Sequence, residues 1–385
     1  MDSIIHSALQ RTFGNETDDF PIDRFKLQTN SGLTKTNIDY FRQAEEEFGF
    51  SVKKARITVF GVGGAGQNTI TRLSEMGVSG ANTISINTDA KHLTVGKADR
   101  KILIGKDITK GLGAGGYPEV GRKCAEESRN EIKEAIEVAD LIFVCCGEGG
   151  GTGTGAAPVV AEMAKSMNAI VIGVVTMPFK IEGARIAKAE EGLARLRGVS
   201  DTVIVIENDR LLRYAGELPI QQAFGVADEL IASMVKGITE TITLPSLVNV
   251  DYADVRSIMH AGGVAALGIG ESNSSDRAMD AITKALNNPL LEVDYTGAKG
   301  ALIHITGGND MRLDEVNRIG ETVSQYLDPS AQVIWGARIL PEFANKIQVI
   351  TIITGVQSPY ILGPVSYEKP VIREMSQTLG IDVIR

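Results

Sequence analysis

Residues 149–155 read Gly-Gly-Gly-Thr-Gly-Thr-Gly, and this glycine stretch is the strongest sequence indication of both the fold and the site. The apolar run Leu141–Cys146 precedes it, and Ala156–Lys165 follows as a predicted helix with Pro158 in its first turn. The order strand, glycine loop, helix suits a phosphate, because glycines allow close backbone approach and a helix start offers unpaired N–H groups. A flexible linker is the alternative, but linkers do not stand between a buried strand and a helix start.

Length and composition limit the class of protein. The chain has 385 residues, 43% of them hydrophobic and 23% charged, which favours a soluble protein with two domains or two plus an extension. The net charge of −9 disfavours a nucleic-acid partner. The three cysteines, Cys124, Cys145 and Cys146, fit neither a disulfide framework nor a zinc site, so a cytoplasmic location is expected. No apolar run reaches the roughly 20 residues of a membrane span, and none is predicted.

Short β-branched runs alternate with predicted helices through the first half of the chain. Without strict polar alternation, such strands predict a parallel sheet covered on both faces. The predicted strands are residues 56–60, 83–86, 101–104, 141–146, 169–175 and 202–206, and one long helix is predicted over 118–138. Two more glycine loops, Gly61–Asn68 and Gly111–Gly116, follow the first and third strands. Ligands of such sheets bind at the carboxyl ends of the strands, so the loops should meet there.

The predicted fold class is α/β, with a Rossmann-like parallel sheet joined by a long central helix to an α+β domain. Apolar spacing places that helix over residues 222–243, which gives it a length of roughly 30 Å. The second domain should contain strands over 301–306, 332–336 and 346–354 and helices over 275–286 and 313–326. The predicted boundaries are an extension at 1–54, a nucleotide-binding domain at 55–222, the central helix at 223–246, an α+β domain at 247–356 and a tail at 357–385. The extension is either a docking arm or a mostly disordered terminus.

Two other nucleotide-binding classes share part of this pattern. Gly61, Gly63 and Gly66 form the G-x-G-x-x-G of a Rossmann dehydrogenase, with Asp89 near the distance of a ribose-binding acid. That class leaves the other two glycine loops without a role. A P-loop NTPase requires G-x-x-x-x-G-K-[ST], and neither Lys97 nor Lys106 is followed by serine or threonine.

Residues 149–155 match the glycine signature of the tubulin superfamily, and the chain resembles its FtsZ family of prokaryotic cell-division GTPases. The resemblance covers about residues 55–355. Its further motifs occur in family order at residues 61–68, 87–90, 111–122, 249–255 and 297–302, and residues 301–304 and 334–336 resemble archaeal members.

The resemblance implies a cleft that binds GTP or GDP, with Mg²⁺ held through the nucleotide phosphates and no metal ligand assigned to the protein. The implied nucleotide-binding residues are Gly63, Gly64, Ala65, Gly66, Gln67, Asn68, Asp89, Gly113, Ala114, Gly115, Gly150, Gly151, Thr152, Gly153, Thr154, Gly155, Glu182, Arg185, Asn208, Phe224 and Asp228.

Within that set, the resemblance gives particular roles to the residues after the phosphate loops. Glu182 corresponds to the ribose-contacting glutamate, and Phe224 is placed to stack on guanine. Asp228 lies one turn further on the same helix face, where a carboxylate can accept from both N1–H and N2–H₂ of guanine. The family arginine usually follows the glutamate by four residues. Here Arg185 follows by three, and it is the residue carried over.

Asp251 and Asp254 are the candidate catalytic residues, and both follow the long helix. Because that helix carries them to the far end of the molecule, they cannot easily reach their own nucleotide. In the family they complete the site of the next subunit, which implies a head-to-tail homopolymer, GTP hydrolysis and a role at the division site. The alternative is a GTP-binding filament or scaffold protein with little hydrolysis. Possible further partners are a membrane adaptor and a second tubulin-like paralogue.

Overall fold

A computed structural model of the protein describes residues 55–137, 139–244, 246–248, 250, 252–262, 265–287, 294–356 and 361–362. The extension at 1–54, Asp251 and most of the tail at 357–385 lie outside these residues.

The first half of the described chain alternates strands and helices. In order they are β1 (Ile57–Val62), α1 (Gly63–Met76), β2 (Ala81–Asn87), α2 (Ala90–Val95), β3 (Arg100–Leu103), α3 (Lys106–Thr109), α4 (Pro118–Glu127), α5 (Arg129–Ile136), β4 (Leu141–Gly147), α6 (Thr152–Ser166), β5 (Ile170–Met177), α7 (Ala184–Val199), β6 (Thr202–Glu207), α8 (Asn208–Ala215) and α9 (Ile220–Thr243). A 3₁₀ turn, Lys180–Glu182, precedes α7.

The second half contains α10 (Tyr252–Gly262), β7 (Ala265–Ser272), α11 (Arg277–Leu286), β8 (Ala298–Gly307), α12 (Leu313–Ser324), β9 (Leu327–Ile339), a 3₁₀ turn at Pro341–Phe343, β10 (Ile347–Thr354) and β11 (Ile361–Leu362). Its four-stranded sheet has the order β7-β10-β8-β9, antiparallel except between β8 and β9.

Six parallel strands in the order β6-β5-β4-β1-β2-β3 form the larger sheet, and β11 adds an antiparallel edge beside β6. Every residue of β1 and the first six residues of β4 are buried, as expected for strands with helices on both faces. The predicted Rossmann-like parallel sheet and the α+β character of the second half are confirmed, and the second sheet is mixed. The domain boundaries stay a prediction.

Two helix predictions need correction. The single helix expected over 118–138 is two helices, α4 and α5, because Ser128 leaves helical geometry with φ −95° and ψ 20°. Its hydroxyl accepts a hydrogen bond from the Gly105 amide at 3.2 Å, which ties the break to the end of β3. Pro158 is not in the first turn of its helix, because α6 begins at Thr152 and includes part of the glycine stretch.

The long helix α9 has 24 residues, which corresponds to about 36 Å. It packs on α1 and also touches β7 and β10 of the second sheet. One hydrophobic core runs from β1, β4 and β5 through α9 into β7, β8 and β10, with members such as Phe143, Ile231 and Ile352. Because the two sheets share this core, α9 fixes one end of the molecule relative to the other.

Candidate functional site

The three glycine loops meet at the carboxyl edge of the parallel sheet. A Cβ on Gly63 would lie 2.7 Å from the Gly153 amide nitrogen, and one on Gly151 would lie 2.8 Å from the Ala114 Cβ. The hydroxyls of Thr88, after β2, and Thr152, after β4, are 2.6 Å apart. Loops from four neighbouring strands therefore form one continuous surface.

Some glycines of the Gly149–Gly155 loop are required for close packing, and others leave space around the loop. A Cβ on Gly155 would lie 1.9 Å from the Pro118 carbonyl oxygen, so glycine is required where α6 crosses α4. A Cβ on Gly150 would meet nothing within 4 Å. Gly151 is the N-cap residue of α6 and makes no side-chain cap, which leaves the first N–H groups of this helix for a ligand. A helix start of this kind favours an anion.

The Gly61–Asn68 loop also combines a tightly packed glycine with exposed positions. A Cβ on Gly66 would lie 2.2 Å from the Cys145 carbonyl oxygen, so this glycine lets α1 pack on β4. Gly64, Ala65 and Asn68 are exposed on the first turn of α1. These three positions are therefore accessible to a ligand, and their contact with a nucleotide stays a prediction.

Gln67 is buried and engaged with protein groups. Its Nε2 donates to the His92 carbonyl oxygen, and its Oε1 accepts from Asn87 Nδ2 at 3.1 Å. Asp89 caps α2, since its Oδ1 accepts from the His92 amide at 3.0 Å. The side chains of Gln67 and Asp89 thus hold α1, β2 and α2 together, and their contact with a nucleotide stays a prediction.

The Gly111–Gly116 loop contains four glycines at positive φ, Gly111, Gly113, Gly115 and Gly116. Ala114 is buried between them. Lys188 of α7 donates to the Gly116 carbonyl oxygen at 2.8 Å, and its Nζ lies 5.5 Å from the Tyr117 ring centre. Nothing in the sequence spacing pointed to this contact, which links residues far apart in the chain.

The opposite wall of the cleft follows β5 and β6. Glu182 accepts from the Phe179 amide at 3.0 Å and forms an ion pair with Arg185. Phe224, 40% exposed, packs against Phe179 with ring centres 5.8 Å apart. Asn208 is the first residue of α8, directly after β6. The structure therefore brings these predicted residues to the same edge as the glycine loops.

Asp228 lies one helical turn beyond Phe224 on α9. Its Oδ1 accepts from the Thr69 hydroxyl of α1 at 2.9 Å. Burial raises the pKa of Asp228 to about 6, and the Thr69 hydrogen bond and the Arg72 charge oppose this rise. Arg72 also pairs with Glu229. Sequence reasoning missed Thr69, because its partner is 159 residues away and is selected by the packing of α1 on α9.

Asp254 is not brought to this edge. It lies in the first turn of α10, two residues after Tyr252, whose hydroxyl donates to the Asp140 carbonyl oxygen at 2.9 Å. Asp140 precedes β4, whereas the Gly149–Gly155 loop follows it, and the seven residues of β4 span about 20 Å. Asp254 is therefore at the amino edge of the sheet. Asp251 lies outside the described residues.

Within the described ranges, no group of three or more His, Cys, Asp and Glu side chains could hold a metal ion. In the same part of the chain, no helix is both long and apolar enough to cross a membrane.

The fold and the loops at its carboxyl edge are those of a tubulin-like nucleotide-binding protein. Residues 56–216 match the model described as Tubulin/FtsZ family, GTPase domain, and residues 263–357 match that of the FtsZ family, C-terminal domain. Cell division protein FtsZ 2 of Methanocaldococcus jannaschii is 58% identical over 342 residues, covering 88% of this chain and 89% of that protein. The chain belongs to the FtsZ family. It is a GTPase and binds GTP and GDP.

A further relative and two solved structures support membership of this family. Cell division protein FtsZ 1 of Pyrococcus horikoshii is 59% identical over 309 residues, covering 80% of this chain and 83% of that protein. The solved structure titled FtsZ dimer, empty, from M. jannaschii has a TM-score of 0.74 and 50% identity, covering 84% of this chain and 92% of that one. The GTPgS-bound protofilament of CetZ2 from Haloferax volcanii has a TM-score of 0.68 and 27% identity, covering 79% of this chain and 95% of that one.

Proposed function

We propose that the protein polymerises head-to-tail and that each contact between subunits completes a GTPase site. The observation that carries this proposal is the separation of Asp254 from the glycine loops by the length of β4. A catalytic carboxylate at the amino edge can serve a nucleotide at the carboxyl edge only if the two belong to different molecules. Such a contact joins two different surfaces and therefore propagates as a filament.

In this proposal the phosphates bind at the start of α6, where unpaired N–H groups favour negative charge. Gly150–Gly155, Gly63–Asn68 and Gly113–Gly115 surround the phosphates, with Asp89 nearby, and Mg²⁺ offsets their charge. On the other wall, Glu182 and Arg185 contact the ribose side.

The base binds between Phe224, Asn208 and Asp228. Phe224 offers an exposed ring face for stacking. The Asp228 carboxylate accepts from N1–H and N2–H₂ of guanine, two donors that adenine cannot present together. This arrangement gives a physical reason for GTP over ATP.

Asp251 and Asp254 of the adjoining subunit then polarise the attacking water. Hydrolysis removes the γ-phosphate from the contact and weakens it, so turnover and disassembly are coupled. The names of the relatives favour cell division as the process, and the titles that report a dimer and a protofilament favour self-association. A cytoplasmic location at the division site, with a membrane adaptor or a second paralogue as a further partner, belongs to the same proposal.

A mixing experiment tests the shared site. Asp254→Ala retains the nucleotide cleft but loses the carboxylate, and Asp228→Ala retains Asp254 but binds GTP weakly. At a GTP concentration well below the dissociation constant of Asp228→Ala, each variant alone should release phosphate on the order of a hundredfold more slowly than the parent. An equimolar mixture should recover about a quarter of the parent rate, since one contact in four pairs an intact cleft with an intact Asp254.

The matched control is Asp276→Ala, which removes an exposed carboxylate of the second half, one that pairs with Arg318. It should hydrolyse GTP like the parent. If the mixture stays as slow as its components while both sediment as filaments, the site is not shared. If Asp254→Ala alone turns over normally, Asp254 is not the catalytic carboxylate and this proposal is wrong.

A further inference from the structure

Glu148 is a buried carboxylate directly before the Gly149–Gly155 loop, and the proposed function gives it no role. Its side chain is 5% exposed. Its amide donates to the Thr176 carbonyl oxygen of β5 at 2.9 Å, and its Oε1 accepts from the Cys146 thiol at 3.7 Å. Among the described residues, Oε2 has no hydrogen-bond partner. This end of β4 therefore buries an acid with one unsatisfied oxygen at the base of the phosphate-binding loop.

The surroundings of Glu148 contain no cation in contact with it. From α6, the Thr154 side chain lies beside the carboxylate. On α7, Gly192 makes room for the carboxylate because it has no side chain. A Cβ there would lie 2.3 Å from both Glu148 Oε2 and Thr154 Cγ2. β4 and β5 carry no charged side chain. No ion pair joins Glu148 to the charged residues of the two packed helices that the structure describes. Lys188 contacts Gly116, Arg185 pairs with Glu182, Arg197 is partly buried, and the exposed ones are Glu162, Lys165, Glu190, Glu191 and Arg195.

This environment resists ionisation. Burial raises the pKa of Glu148 to about 7, and the Thr154 hydroxyl and the Cys146 thiol lower it by a smaller amount. The first turn of α6, which contains Thr154, is also where the proposed phosphates bind. A phosphate bound there lies roughly 5 to 10 Å from the carboxylate, and among the described residues no protein cation pairs with Glu148.

We propose that Glu148 takes up a proton when the phosphates of a guanine nucleotide bind at the start of α6, so that the loaded site contains neutral Glu148. The proton comes from solvent and goes to Oε2, whose O–H can then donate to the neighbouring Thr154 hydroxyl oxygen. The inference rests on the proposed phosphate position and adds a coupling between nucleotide binding and pH. Because the ionised acid repels the phosphates, the affinity falls as the pH rises.

The size of the effect follows from linkage. The pKa of Glu148 is about 7; if binding shifts its ionisation equilibrium about tenfold towards the neutral acid, GDP affinity falls about sixfold between pH 6.5 and pH 8.5. The same shift corresponds to uptake of about half a proton per nucleotide at pH 7.5.

Calorimetric titration of the full chain with GDP and Mg²⁺ tests this, since GDP avoids hydrolysis during the titration. Titrations at pH 7.5 in three buffers of different ionisation enthalpy give the number of protons taken up. We expect about half a proton more for the parent than for Glu148→Gln, which keeps the shape of the side chain but cannot ionise. Glu162→Gln, an exposed substitution on α6, should match the parent.

Equal proton uptake in the parent and Glu148→Gln, with GDP bound by both, would overturn the inference and leave the nucleotide site intact. Absence of binding in the parent would overturn the proposed site and the inference with it. A second measurement covers a folding defect in Glu148→Gln. Because the folded-state pKa is raised, the parent without nucleotide should lose stability as the pH rises from about 4.5 through about 7. The denaturation midpoint of Glu148→Gln should therefore exceed that of the parent by more at pH 8 than at pH 6, and parallel pH profiles would contradict the assignment.

Discussion

The two ends of β4 are built from different interactions. At the carboxyl end, glycines let backbones approach closely, and the start of α6 is left open for a ligand. At the amino end, hydrogen bonds from side chains join neighbouring segments. The Arg56 Nε donates to Asp140 at 3.1 Å, and the Tyr252 hydroxyl donates to the Asp140 carbonyl oxygen at 2.9 Å. One end of the strand is suited to receive a ligand, and the other is suited to hold α10 in place.

This difference matters because a site shared between subunits needs both properties. A ligand-binding edge requires unpaired N–H groups and room for an anion. An edge that presents a carboxylate to another molecule requires a fixed position, since small displacements of a catalytic group lower the rate strongly. The hydrogen bond between the Ala265 amide and Thr202 Oγ1, at 3.0 Å, adds a second link between the halves at the amino edge.

The largest expected effect is at the carboxyl end, where Gly155→Ala should destabilise the protein by about 3 kcal/mol. The added Cβ would lie 1.9 Å from the Pro118 carbonyl oxygen, so α4 and α6 must separate. Gly150→Ala is the matched control, because its Cβ would meet nothing within 4 Å and stability should change by less than about 0.5 kcal/mol. Urea unfolding measures both. Equal stability of the two variants would show that the glycines of this loop do not differ in their roles.

Asp228→Ala should give the next largest effect, a loss of GTP affinity of about 10- to 100-fold with little change for ATP. A charged acceptor of two hydrogen bonds is lost, and such bonds contribute about 1.5 to 3 kcal/mol. Competition binding with GTP and ATP measures the change, with Asp276→Ala as the control. If the affinities for both nucleotides fall equally, Asp228 stabilises the packing of α9 and does not recognise the guanine base.

Much of the fold could be predicted from the sequence, because the strands of the parallel sheet are continuous β-branched runs. The strand β7 escaped prediction since its sequence includes Gly268 and Gly270, which weaken strand propensity. Both glycines lie under α11, where a Cβ on either would come within 2.2 Å of a backbone carbonyl oxygen. Because the close packing of α11 requires glycine at these two positions, β7 lacks the continuous β-branched run that predicted the other strands. The break at Ser128 was hidden for a similar reason, because it depends on a hydrogen bond to Gly105.

The site, like the fold, has one part that the sequence predicts and another that depends on tertiary packing. Glycine spacing placed the loops, since each loop directly follows its own strand. The side-chain pairs within the site were not predictable, because Thr69 with Asp228 and Lys188 with Gly116 depend on which helices pack together. Glu148 directly precedes the glycine stretch and was not singled out from the sequence, because only its burial and its unpaired oxygen distinguish it from a solvated loop acid.

The smallest expected effect is at the amino end and is the sharpest test of the comparison. Tyr252→Phe removes one hydrogen bond to the Asp140 carbonyl oxygen, which should lower the free energy of unfolding by about 1 kcal/mol. GTP affinity should not change, because the proposed nucleotide site lies at the other end of β4. Phosphate release should nevertheless fall a few fold, since α10 carries Asp254 and loses an anchor.

Tyr295→Phe is the matched control for this change. The Tyr295 hydroxyl also donates to a backbone carbonyl oxygen at 2.9 Å, but its acceptor is Leu286 at the end of α11 and not a residue next to β4. This variant should lose a similar free energy of unfolding and keep the parent rate of phosphate release. If the two variants slow turnover equally, the loss reflects general stability. If only Tyr252→Phe slows it, the amino end of the sheet positions the carboxylate that acts on the neighbouring subunit.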